Sequence, residues 1–176
     1  MYDIEIEYRP FLLRPDIGPE GAPRVNRSGA SNGRSHLQDM AKEAGLVMNT
    51  RDHTSYSRLA LEAQDYAIEH GKADEFHRAG FDAYWKDTLD IGNIEVVLSL
   101  AASVGLDADE LRPIIAERRL QAKVEGQMDE ARQLNITAIP TFILDRKWAI
   151  QGAQPYELFE RVMQEYVKAE KKSGGR

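Results

Sequence analysis

The residues best equipped for covalent chemistry are missing. The 176-residue chain contains no cysteine, which removes disulfides, thiolate metal sites and any sulfur nucleophile from within it. Of the four histidines, His36, His53, His70 and His77, none stands at ligand spacing, and surface positions account for them better than a metal site. No Ser-His pair is evident from spacing. Gly18, Gly21, Gly29 and Gly33 make no phosphate loop, because no Lys-Ser/Thr follows and no strand immediately precedes them. Arg118-Arg119 and Lys171-Lys172 read as solvated faces, and Asp87/Asp90 and Asp107/Asp109 as caps and solubility charges. No cofactor is implied. The segment that stands out is β-rich and carries a proline, Ile136-Thr137-Ala138-Ile139-Pro140-Thr141-Phe142-Ile143-Leu144.

Charge and hydropathy narrow the classes further. A net charge of −6 leaves no basic footprint for nucleic acid. No apolar run approaches the roughly 20 residues of a membrane span, and the first residues lack the basic start and apolar stretch of a signal peptide. A soluble, cytoplasmic protein is expected.

The elements that would position this segment follow from periodicity. Ile4, Ile6 and Tyr8 alternate with Asp3, Glu5 and Glu7, the period-2 pattern of a strand with one buried face, extended to residue 16. Residues 18–35 are rich in Gly, Ser, Pro, Asn and Arg, and predict a flexible loop. Residues 36–134 carry a helical block. Leu37, Met40, Ala41 and Ala44 share a face ahead of Gly45. Thr54 or Ser55 could cap a helix running to about His70, and a further helix carries Phe76, Ala83, Tyr84 and Trp85. Asn93 is placed to cap a helix ending at Gly105, and Asp107 with Glu110 has capping-box spacing before Leu111. Residues 135–170 then predict a hairpin with its turn at Asp145-Arg146-Lys147, followed by a closing helix after Pro155 with Leu158, Phe159, Val162, Met163, Tyr166 and Val167 on one stripe. Trp85, Phe142 and Trp148 are expected in the core.

That order resembles the C-terminal part of the DsbA-like thioredoxin fold. The resemblance rests chiefly on Ile136–Ile143 before the hairpin and Gly152-Ala153-Gln154-Pro155-Tyr156 after it. Tyr8-Arg9-Pro10-Phe11-Leu12-Leu13-Arg14-Pro15-Asp16, Asp90–Asn93 and Gly105–Leu111 are similar to the FrnE-like branch. The resemblance implies a single α/β domain over 1–176 with an all-helical insertion. It also implies that the family's first strand, Cys-x-x-Cys and active-site helix would precede residue 3, so the chain looks truncated. It implies a cis Ile139–Pro140 bond, with Thr137, Ala138, Ile139, Pro140 and Thr141 as a substrate-binding loop.

Three functional expectations follow. The first is a DsbA/FrnE-like thiol–disulfide oxidoreductase family member that is redox-inactive as given. The second is a module binding an extended peptide or protein through the proline loop. The third is a relative of the glutathione-dependent 2-hydroxychromene-2-carboxylate isomerases, which place a serine where the redox motif would stand. A sheet without its central strand exposes ladder groups, so homo-oligomerisation by strand exchange is also expected.

Overall fold

The computed structural model describes residues 3–24 and 31–173. The chain folds as two compact units, Met1–Met128 and Asp129–Arg176.

The first unit is a helical block with one short ladder. Its elements are β1 (Ala22–Pro23), α1 (Ser31–Glu43), β2 (His53–Thr54), α2 (Arg58–Glu69), α3 (Ala73–Phe81), a single π-turn over Asp82–Lys86, α4 (Ile94–Ser103) and α5 (Ala108–Ala116). Most of α6 (Gln121–Gln133) completes it. Local chemistry sets the helix ends. The Asn93 side chain accepts a hydrogen bond from the Glu95 N–H at 2.9 Å, and Asp107 accepts from the N–H groups of Asp109 and Glu110, each at 2.9 Å. Both satisfy orphan donors of a first helical turn. Glu110 lies beside the Tyr66 hydroxyl, which burial first, and then that carboxylate, push up to about 12. At the other end of α4, Gly105 adopts φ 84°, and the Leu106 N–H donates to the Ala101 carbonyl at 3.0 Å. This αL stop also drops Leu106 into the core. Ala63, Tyr66 and Ala67 of α2 meet Phe76, Val97, Leu98, Ala101, Leu111 and Ile115 there.

Several expectations change in this unit. Residues 3–12 form no paired strand, and Ile4 and Ile6 are 59% and 67% exposed. Alternation alone cannot make a strand without a ladder partner; Tyr8 is anchored instead by its ring, stacked on His77 at 4.3 Å. The predicted loop over 18–35 contains β1, paired antiparallel with β2, and α1 begins at Ser31 rather than at 36. Backbone pairing needs no apolar side chains, and the Arg24 N–H donates to the Asp52 carbonyl at 2.7 Å. Residues 25–30 of that loop lie outside the described residues. Neither Thr54 nor Ser55 caps α2: Thr54 is in β2, and the helix starts after Ser57, whose side chain makes no cap bond.

The second unit is built from β3 (Thr141–Leu144), β4 (Trp148–Gln151) and α7 (Tyr156–Ser173). The strands pair antiparallel, from Thr141 opposite Gln151 to Leu144 opposite Trp148, in the predicted hairpin. Phe142 meets Phe159 of α7 edge to face at 5.0 Å, and Ile150 is buried. Phe142 and Trp148 nevertheless stay 43% and 37% exposed, against the core positions expected for them. A sheet of two strands is too narrow to enclose side chains of this size.

Candidate functional site

The expected binding residues gather in the bend between α6 and β3. Asn135, at φ 55°, stops α6, and the Ile136 N–H donates to the Ala131 carbonyl at 2.9 Å, so the chain turns out of the helix. The bend over Thr137–Pro140 follows, and the Ile139–Pro140 bond is cis. The Thr141 hydroxyl donates to the Ala138 carbonyl at 2.7 Å and closes it. The Gly152 N–H donates to the Pro140 carbonyl at 2.7 Å, which ties the bend to the far end of β4. Thr137, Ile139 and Pro140 are exposed, while Ala138 and Thr141 are half-buried.

The ladder register determines what this segment offers. Hydrogen-bonded and non-hydrogen-bonded pairs alternate in an antiparallel ladder. Pro140 and Gly152 form a bonded pair, so Phe142 and Ile150 form the next one. The N–H and C=O groups of Thr141 and Ile143 therefore point away from β4. Among the described residues no strand pairs with this outer edge of β3, a row of donors and acceptors beside the exposed Ile139 and Ile143 side chains. None of Thr137–Thr141 titrates. The arrangement can bind backbone; it cannot supply a proton or a nucleophile.

Two polar clusters of the first unit lay outside the sequence reading. Glu62 and Asp65 of α2 are 1% and 2% exposed. The Arg118 guanidinium donates to the Glu62 carboxylate at 2.5 and 2.8 Å, and Lys123 lies 2.7 Å from Asp65. Arg118 is thus half-buried and ion-paired, a correction to the solvated face expected for it. Burial weakens the hold of this guanidinium on its proton, but the bonds to Glu62 and Tyr56 outweigh that and keep its pKa above the ordinary value. The available signal was Glu62, Asp65 and Glu69 at helical spacing on the same stretch as the inward-facing Ala63 and Ala67. The second cluster surrounds Arg51, 7% exposed, which reaches the carbonyls of Tyr84 and Leu89. Its signal was absent, because a lone arginine in a loop has no pattern. His77 is also no plain surface residue: it is packed between Tyr8 and Phe81. Among the described residues no three His, Asp or Glu side chains converge to hold a metal ion.

Residues 1–164 match the model of the DSBA-like thioredoxin domain. The chain belongs to this family. The uncharacterized protein YwbO of Bacillus subtilis (strain 168) is 30% identical over 169 residues, spanning 94% of this chain and 84% of that protein. A solved probable DsbA oxidoreductase from Streptomyces coelicolor superposes with a TM-score of 0.82 at 28% identity, covering 96% of this chain and 75% of that one. A proposed protein disulfide isomerase from Nitrosomonas europaea matches at TM-score 0.66 and 11% identity, over 84% and 78% of the two chains, a likeness of fold alone. The fold is accordingly the DsbA-like thioredoxin fold, here mostly helical. Among the described residues no helix is long and apolar enough to cross a membrane.

Proposed function

We propose that this DSBA-like protein, a FrnE-like member, binds extended polypeptide along Thr137–Thr141 and the outer edge of β3, and performs no thiol–disulfide exchange by itself. The observation that carries the reading is the pairing of that edge with a sequence of 176 residues that contains no cysteine. Exchange in a dithiol protein needs a thiolate, generated where a helix N-terminus or a cation lowers its pKa. A serine lacks that acidity. Dithiol chemistry would require a cysteine-bearing segment beyond these residues. What this chain supplies is the recognition half of such an enzyme: backbone donors and acceptors at Thr141 and Ile143, with Ile139 and Ile143 offering apolar contact to alternate side chains of a guest strand.

Two measurements on the purified chain test this. Insulin reduction and dithiol oxidation should not exceed the uncatalysed rate; heat-labile turnover would refute the redox part. A short peptide of alternating valine and threonine should shift the Thr141 and Ile143 amide resonances saturably, and the same peptide N-methylated at alternate residues should not. Equal binding of both peptides would refute backbone pairing at this edge.

A further inference from the structure

A cavity of about 550 Å³ opens in the first unit, lined among others by Arg24, Arg51, His53 and Thr88. Arg51 forms its buried wall. The partners of its guanidinium are all neutral: the carbonyls of Tyr84 (2.5 Å), Leu89 (3.0 Å) and His53 (3.4 Å), and the Ser55 hydroxyl (3.3 Å). The face of the group lies over the Tyr84 ring, 3.8 Å from its centre. Among the described residues no carboxylate pairs with it. A buried cation is normally compensated by an opposite charge, and among the described residues Arg51 forms no ion pair.

The surrounding elements are arranged around this wall. The π-turn presents the Tyr84 carbonyl to Arg51 and the Trp85 carbonyl to the Asn49 N–H at 2.8 Å, and such turns recur at functional sites. The β1–β2 ladder carries Arg24 and His53 to the same cavity, Arg24 following directly on β1. Gly21, at φ 68°, lets the chain close on the His53 ring, since a Cβ there would fall 2.2 Å from its Nε2. Thr88, a β-branched residue on the lining, is held at φ 55°, a conformation such residues rarely adopt outside functional or strained sites.

From this geometry we infer that the cavity binds a small oxyanion, a carboxylate or phosphate group, between Arg51, Arg24 and His53. The anion supplies the charge that Arg51 lacks; the four bonds leave one guanidinium N–H, on Nη2, for it, and Arg24 and His53 provide the further donors. Asp52 and Asp90, both exposed, also line the cavity, and Asp90 accepts a hydrogen bond from the Gly92 N–H at 3.0 Å. Their charge repels polyanions and restricts entry to small ligands.

Titration of the ¹⁵N-labelled full chain with inorganic phosphate, and separately with acetate, tests this at constant ionic strength against sodium chloride. Saturable shifts are expected at the amides of Arg24, Arg51–His53 and Thr88. The anion that saturates tells which oxyanion the site takes. Arg24→Gln should weaken binding about ten-fold, the size of one lost charge-assisted hydrogen bond, with the ligand-free melting temperature unchanged. Because Arg51 also staples the π-turn and its replacement could unfold the block, His53→Gln serves as the second variant and should likewise weaken binding. Shifts that match those in chloride, or that neither variant alters, would overturn the inference.

Discussion

Arg146 holds a backbone conformation its side chain disfavours. It sits at φ 58° beside Asp145 at φ 51°, the signs a tight hairpin turn requires, and the Lys147 N–H closes the turn onto the Leu144 carbonyl at 3.0 Å. Arg146→Gly should raise stability by about 1 kcal/mol, seen as a higher denaturation midpoint with an unchanged m-value; a lower midpoint would refute the turn. Arg118 matters for the opposite reason, since it neutralises a carboxylate that water cannot reach. Arg118→Ala leaves Glu62 charged and buried, and should cost about 3–5 kcal/mol. The double variant Glu62→Gln/Arg118→Met should recover much of that loss in urea unfolding. If the double variant is no more stable than the single one, the ion pair is not what Arg118 contributes.

At the scale of elements, α3 anchors the extended segment at residues 3–9 through an aromatic stack. His77 lies 4.3 Å from the Tyr8 ring and 4.7 Å from the Phe81 ring, measured between centres. Burial lowers the His77 pKa below its ordinary 6.5; the Asp74 charge opposes this and the Arg78 charge adds to it. A base whose folded pKa is depressed favours the docked state while neutral. The contribution is therefore fully present above pH 6.5 and declines as pH falls from there through the folded value. Amide exchange in residues 3–9 should accelerate over that window, beyond its intrinsic pH dependence, and His77→Phe should keep the stack while abolishing the extra change. A wild-type profile identical to that of the variant would rule the latch out. Cap energetics belong to this scale as well. Asn93→Ala should cost about 1 kcal/mol and loosen the first turn of α4, read as faster exchange at Glu95.

For the whole molecule, the exposed Ile4 and Ile6 bear on association. Strand exchange between copies, expected from the sequence, predicts a dimer by light scattering and a monomer for Ile6→Lys. A wild-type chain that is monomeric at all concentrations would dismiss it. The capped starts of α4 and α5, the stop at Gly105 and the Leu144–Trp148 hairpin were all readable from the sequence, because each depends on residues within a few positions of one another. The bend ahead of β3 at Ile139–Pro140 was readable too, through its resemblance to a known fold. The tertiary structure decided what distance along the chain conceals. Glu62 meets Arg118 across 56 residues, and Arg51 meets Leu89 across 38. Whether a charge is buried and paired depends on which surfaces come together, and residues 3–9 show the same limit: alternation proposed a strand, but only a neighbouring backbone could have completed it.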